Sequence, residues 1–201
     1  DSYVTVVVSD IEFDTNFVKV CPDESTIATF HVTAISGDPT TFSTTGLSDY
    51  GMNDYTDEPF DGSSINIDFA GAEPGDYEFT ILIDECIYHV TVRVLMGAGT
   101  GDGKIVEQRW DDVVVANNNP ETNGGYRFVA YQWYKNGEPI PGATGQYYNE
   151  IGGLNGYYSL WAMTEDGKVY ESCELAIATS ARIKVYPTPA RVDQEVTIEL
   201  P

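Results

Sequence analysis

Alternation of apolar and polar residues with a period of two is the feature that most constrains this fold. It recurs along the whole chain, whereas helical periodicity is nearly absent. In the stretch 87–95, for example, Val90, Val92 and Val94 share one face. Such alternation, broken by frequent turn signals, is typical of antiparallel strands that bury one face in a β-sandwich. The predicted strands are 3–8, 17–20, 26–35, 40–45, 64–69, 77–83, 87–95, 107–116, 127–135, 146–150, 157–164 and 168–177.

A glycine-rich stretch, 97–104, separates two halves that share this rhythm. Its sequence is GAGTGDGK, and glycines neither pack a strand nor need one fixed conformation. The sequence therefore predicts an all-β chain with a sandwich over 1–96, a linker over 97–104, a second sandwich over 105–179 and an extended tail over 180–201. The first predicted strand, 3–8, is equally compatible with a preceding module.

The second half carries a recognisable pattern around one tryptophan. The run 131–144, YQWYKNGEPIPGAT, resembles strand C and the following turn of an immunoglobulin-like domain, and 154–162, LNGYYSLWA, resembles the approach to strand F. The resemblance implies that Trp133 is the core tryptophan and that Tyr158 occupies the tyrosine-corner position. Leu160 stands where strand F usually carries a cysteine, so the resemblance also implies that the usual inter-sheet disulfide is absent.

The first half and the tail resemble exported bacterial proteins. VCPDESTIATFHV and DECIYHVTVRV are similar to the cysteine-bearing first and last strands of bacterial immunoglobulin-like or PKD-like surface modules. The tail, IKVYPTPARVDQEVTIELP from Ile183 to Pro201, resembles the opening of the C-terminal sorting domain on cargo of the type IX secretion system of Bacteroidetes. That second resemblance implies recognition by the secretion machinery. Thr188 departs from it, since asparagine is common there, and the chain stops after one strand of the multi-strand domain.

Charge and hydropathy exclude several classes of partner. The net charge is −22, and residues 1–97 hold 18 acids against only Lys19 and Arg93. An acidic field of this strength repels phosphate backbones and anionic membrane surfaces, so no nucleic-acid partner is expected. No apolar run reaches about 18 residues, so no transmembrane helix is expected. The N-terminus lacks the basic and apolar regions of a signal peptide, so we expect a mature or excised piece of a longer precursor.

Three cysteines are too few for a cysteine-rich zinc framework. Cys21 and Cys86 lie in the same half, near the ends of predicted strands, so we expect them to form a disulfide. Such a bond needs an oxidising compartment, which agrees with export. Cys173 has no partner nearby in sequence, and a buried thiol is the simplest expectation for it.

An acidic loop, 48–62, offers the best candidate for a cation site. Its sequence, SDYGMNDYTDEPFDG, supplies hard oxygen ligands of the kind that Ca²⁺ prefers, but not with EF-hand spacing. A solvated loop is the alternative. The candidate ligands are Asp49, Asn53, Asp54, Asp57, Glu58 and Asp61.

Strand alternation also predicts an aromatic face on the second sandwich. Tyr134, Tyr157, Trp161 and Tyr170 are expected to point outward, and strands C, F and G are neighbours in an immunoglobulin sheet. A flat aromatic patch suits stacking against sugar rings or a partner protein. The alternative is that the first domain or the tail covers these residues.

No catalytic motif stands out. The chain has no Gly-x-Ser-x-Gly, and none of its many acid pairs lies within a recognisable glycosidase pattern. The sequence therefore favours a non-catalytic stalk or adhesion module of an exported, cell-surface bacterial protein, with a glycan or protein as extracellular ligand. A carbohydrate-binding accessory module of a larger polysaccharide-degrading enzyme is the alternative.

Overall fold

The computed structural model of the chain describes residues 10–178 and the two short strands 184–186 and 197–199. Nearly all of its regular structure is β-strand, which confirms the predicted all-β fold class. Within the described residues the one helical segment is a single 3₁₀ turn, Leu47–Tyr50. No helix in that part of the chain is long and apolar enough to cross a membrane.

Eight strands form the first sandwich. They are β1 (Asp10–Phe13), β2 (Phe17–Val20), β3 (Ile27–Ser36), β4 (Thr41–Thr45), β5 (Glu58–Pro59), β6 (Ser64–Asp68), β7 (Gly75–Ile83) and β8 (Cys86–Val94). One sheet has the order β1-β3-β6 and the other β2-β8-β7-β4-β5. All neighbours are antiparallel except β2, which runs parallel to β8.

The core of the first sandwich lies between these two sheets. Phe30 of β3 meets Phe79 of β7 edge to face, with ring centroids 6.4 Å apart. Val90, Val92 and Val94 are all buried, as their alternation predicts. Sheet order and packing together give the immunoglobulin-like arrangement, in which the strands switch between two facing sheets.

Nine strands form the second sandwich. They are β9 (Gly97–Ala98), β10 (Lys104–Arg109), β11 (Val113–Ala116), β12 (Phe128–Lys135), β13 (Glu138–Pro139), β14 (Tyr147–Asn149), β15 (Tyr157–Thr164), β16 (Val169–Glu171) and β17 (Leu175–Ala176). One sheet has the order β14-β11-β10-β9; the other has the order β13-β12-β15-β16, with β17 also on β15. This is the immunoglobulin-like arrangement again.

Trp133 is at the centre of the second core, as the sequence predicted. It is fully buried, and its indole N–H donates to the carbonyl of Gly145 at 3.0 Å. Across the ladder it faces Leu160, and Tyr158 on the same strand is also fully buried. The Tyr158 hydroxyl donates to the Glu150 carboxylate, and it also interacts with the backbone of Asn155 a few residues upstream.

Two predicted strands are each interrupted in the structure. The stretch 107–116 is a hairpin, because the chain reverses at Trp110, whose backbone has a φ of 57°. The stretch 168–177 is interrupted between β16 and β17, where Glu171 and Cys173 bond to the Met96 backbone while the Ser172 N–H still donates to the Leu160 carbonyl of β15. The predicted strand 3–8 lies outside the described residues.

The glycine-rich stretch 97–104 is not an unpaired linker, so that prediction is wrong. Gly97–Ala98 pairs in parallel with β10, and the Gly99 N–H donates to the Val106 carbonyl at 2.8 Å. The glycines allow positive φ angles, so the chain turns through a tight loop and re-enters the same sheet in the same direction. The two hydrophobic clusters share no residue, and the chain passes from one to the other between Val94 and Met96.

Two strands are described in the tail. β18 (Lys184–Tyr186) pairs antiparallel with β19 (Thr197–Glu199), with Val185 opposite Ile198. The rest of 179–201 lies outside the described residues. Resemblance to a sorting domain therefore stays a prediction.

Candidate functional site at the junction of the two sandwiches

A disulfide joins the two sandwiches. Cys21, just after β2, bonds to Cys173, just before β17, with their Cα atoms 5.5 Å apart and 152 positions apart in sequence. The predicted bond between Cys21 and Cys86 is therefore wrong, as is the expectation that Cys173 is a thiol; Cys86 is the reduced cysteine.

The parallel pairing of β2 with β8 explains this outcome. Val20 lies beside Val94 at the end of β8, whereas Cys86 begins that strand. Eight residues of strand span roughly 26 Å, and a disulfide needs Cα atoms within about 7 Å. Cys21 is therefore held at the end of the first sandwich that faces the second.

Backbone hydrogen bonds hold the crossing segment from both sides. The Leu95 N–H donates to the Val20 carbonyl at 2.9 Å, which ties the segment to the first sandwich. Met96 donates to Glu171 at 2.8 Å and accepts from Cys173 at 2.7 Å, which ties it to the second. Met96 is itself buried. The crossing is therefore a bonded element of both sandwiches.

A chain of ion pairs bridges the same junction. Glu171 of the second sandwich accepts from Arg93 at 2.7 Å and from Lys19 at 2.5 Å. Arg93 also binds Asp76 through two nitrogens, at 2.6 and 2.8 Å. The hydrogen bonds from Arg93 hold the pKa of the Asp76 carboxyl below its usual value. Lys19 and Arg93, the only lysine and the only arginine among residues 1–97, thus both contact Glu171.

Asp23 forms a second bridge two residues from the disulfide. Its carboxylate accepts from the Ala98 N–H at 2.8 Å and pairs with the Lys104 ammonium. Partly exposed ion pairs of this kind contribute up to about 1 kcal/mol each. Their larger effect is geometric, since they fix Cys21 and the start of the second sandwich together.

Two of the four predicted aromatic residues lie in a cleft at this junction. Tyr134 and Trp161, both half-buried, share it with Leu95 and Lys19 of the first half and Glu174 of the second; its volume is about 270 Å³. The ladder places Tyr134 opposite Ser159 and Gln132 opposite Trp161, so the two rings occupy one face of the sheet. The first half thus borders the predicted aromatic face.

The other two aromatics do not join this cleft. Tyr157 is 53% exposed and lies four residues before Trp161 on β15. Tyr170 faces the core, so its predicted outward position is wrong: it lies opposite buried Ala162, and its ring centroid is 4.8 Å from that of Tyr126. Burial, reinforced by Tyr170 and by Glu73 of the first sandwich, raises the pKa of Tyr126 to about 12.

In the acidic loop, the carboxylates of Asp54 and Asp61 accept hydrogen bonds from residues nearby in the sequence. Asp54 accepts from the Leu47 N–H at 3.0 Å and from the Thr44 hydroxyl at 3.3 Å. Burial acts to raise the pKa of Asp54, but the hydrogen bonds it accepts leave it below the usual value. Asp61 accepts from the Ser63 hydroxyl at 2.6 Å, which lowers the pKa of Asp61.

The acidic side chains among the predicted calcium ligands are not gathered into one site. Within the described residues, the one set of three cysteine, histidine or acidic side chains whose ligand atoms lie within 4.8 Å of one another is Cys21, Asp23 and Cys173. The two cysteine sulfurs in this set are already bonded to each other. No trio drawn from Asp49, Asp54, Asp57, Glu58 and Asp61 reaches that spacing.

Three tyrosines line a wider cleft beside the acidic loop, which the sequence did not predict. It has a volume of about 720 Å³, and its walls include Tyr50, Tyr55 and Tyr77. Their hydroxyls take part in the fold: Tyr50 and Tyr55 accept from backbone N–H groups, and Tyr77 donates to the Glu73 carbonyl at 2.7 Å. The junction cleft differs because both halves of the chain line it.

Comparison with known proteins does not assign the chain to a family. No protein-family model matches, and no curated protein matches. Among solved structures, a titin I9–I11 tandem is 11% identical, with 89% of this chain and 68% of that chain covered and a TM-score of 0.31.

Two bacterial structures match with the same sequence identity and similarly low TM-scores. The tri-modular endo-β-1,4-glucanase Cel5B of Bacillus halodurans is 11% identical, with 81% of this chain covered and a TM-score of 0.30; the match spans only 34% of that protein. The glucan-utilisation protein SGBP-B of Bacteroides ovatus, solved with a mixed-linkage heptasaccharide, is 11% identical, with 86% of this chain and 48% of that chain covered and a TM-score of 0.27. Each is a resemblance in β-sandwich architecture alone.

Proposed function

We propose that this chain is a non-catalytic spacer of the stalk or adhesion type in an exported bacterial surface protein. The observation that carries the proposal is the covalent junction between two immunoglobulin-like sandwiches. A spacer must hold what lies at its two ends at a set distance, and a hinge between its domains would defeat that purpose. The disulfide, the bonded crossing segment and the Glu171 ion pairs all oppose such a hinge.

Export is the second part of the proposal. Disulfides form and persist in oxidising compartments outside the cytosol. The resemblance of the tail to a type IX sorting domain supports the same location, with the secretion machinery as a partner. A net charge of −22 suits a solvated surface protein and disfavours nucleic acid.

The junction cleft favours a second candidate function. Trp161 and Tyr134 border a concave site that also offers the charged groups of Lys19 and Glu174. Aromatic rings that stack on sugars, with polar groups at the rim, are what a carbohydrate-binding accessory module would use. Under this alternative the same two-domain unit would bind a glycan for a larger polysaccharide-degrading enzyme.

One glycan-array experiment separates the two functions. A stalk that acts purely as a spacer is expected to give no specific signal on any polysaccharide or oligosaccharide, because holding distance requires no ligand. Specific binding that is lost in Trp161→Ala and kept in Trp110→Ala would reject the pure spacer and establish the accessory module. Trp110 is a matched control, since it is 80% exposed in the second sandwich and distant in sequence from the cleft residues.

A further inference from the structure

The position of the disulfide along the chain determines which residues a pulling force can reach. Cys21 and Cys173 close a loop that contains β3 to β16, and so nearly all of both sandwiches. Of the buried hydrophobic residues described, only Ile11 and Val20 precede Cys21, and none follows Cys173. Force applied at the two ends of the chain would enter this loop and leave it at the same covalent bond.

We propose that the Cys21–Cys173 bond is a mechanical bypass, which carries tension past the segment from β3 to β16 so that this segment does not unfold under load. The proposal rests on the spacer function, because only a protein held at both ends experiences such tension. In two tandem domains without this bond, the force would pass through each hydrogen-bonded sheet in turn. Here it passes through a sulfur–sulfur bond, which is far stronger than the hydrogen bonds of a strand ladder.

The surrounding contacts are suited to this role. The Leu95–Val20 and Cys173–Met96 hydrogen bonds lie on either side of the disulfide, and Asp23 bonds to Ala98 and Lys104 beside it. These contacts hold the two cysteine-bearing segments beside each other in the folded chain.

Chain length sets the size of the expected effect. The loop covers 152 positions, and an extended chain spans roughly 3.3–3.6 Å per residue, so its release would lengthen the molecule by roughly 500 Å. While the bond is intact, only the short segments before Cys21 and after Cys173 can be drawn out. The difference between these two outcomes is easily measured for a single molecule.

Single-molecule force spectroscopy on the full chain, placed between two reference domains, tests the proposal. The oxidised wild type is expected to show no extension of about 500 Å before the reference domains unfold. Cys86→Ala, which keeps the disulfide, should behave in the same way. Cys21→Ala/Cys173→Ala should release the full length in one or two unfolding events.

A second arm uses folded wild type and so does not depend on the variant folding. Dithiothreitol added under constant force converts Cys21 and Cys173 to thiols while it becomes the cyclic disulfide, and the chain should then lengthen by about 500 Å. Full-length extension of the oxidised wild type without reductant would overturn the bypass. Specific glycan binding in the array would instead overturn the spacer function and leave this force result unchanged, so the two failures are distinguishable.

Discussion

Replacement of both Cys21 and Cys173 by alanine is expected to lower the free energy of unfolding by about 2–5 kcal/mol. The disulfide restrains the unfolded chain over 152 positions, and the loop-entropy account gives about 5 kcal/mol for a loop of that length. Alanine is chosen because Cys173 is buried, and a serine hydroxyl there would add the cost of burying a polar group. Urea titration and calorimetry measure the change.

The same variant should also separate the unfolding of the two sandwiches. They have distinct hydrophobic clusters, so without the covalent link each can open at its own midpoint. Cys86→Ala is the control, and it should leave the link between the sandwiches in place. A double variant as stable as that control would contradict a structural role for the bond.

Loss of the core tryptophan is the second large effect. Trp133→Ala should lower the free energy of unfolding of the second sandwich by about 3–5 kcal/mol, the range for a large buried aromatic. Trp133 is fully buried, and the change also leaves the Gly145 carbonyl without its 3.0 Å hydrogen bond. Denaturant unfolding followed by circular dichroism is the measurement.

Trp110→Ala provides a matched control for that experiment. It removes the same side chain from the same sandwich at a position that is 80% exposed, so it should change the stability by less than about 0.5 kcal/mol. If Trp133→Ala cost below about 1 kcal/mol, Trp133 would not be the core residue, and the immunoglobulin-like register of this half would be in doubt.

Local patterns predicted most of the fold. The strand 157–164 has the same bounds in the sequence prediction and in the structure, because its alternation is unbroken and it follows a glycine. The immunoglobulin-like resemblance implied core positions for Trp133 and Tyr158, and both side chains are fully buried. Trp110 shows the limit, since nothing in its neighbours' alternation reveals that the backbone reverses there.

Errors in the candidate site come from contacts between distant segments. Tyr170 was placed on the wrong face because its orientation depends on register: Glu171 pairs with Trp161, and a shift of one residue exchanges the two faces. Cys173 was not paired with Cys21 from the sequence, because the distance between these cysteines depends on how the two domains pack against each other. The ion pairs of Glu171 with Arg93 and Lys19 also depend on how the two domains pack. The sequence did offer one indication of them, since residues 1–97 contain a single lysine and a single arginine.

Non-reducing peptide mapping of protein made under oxidising conditions tests the central claim most directly. The chain is denatured at acidic pH, alkylated, digested without reductant and analysed by mass spectrometry. The structure predicts one cross-linked pair of peptides that joins Cys21 to Cys173, and one alkylated cysteine, Cys86. A cross-link between Cys21 and Cys86, or alkylation of all three cysteines, would contradict the covalent junction and every proposal that depends on it.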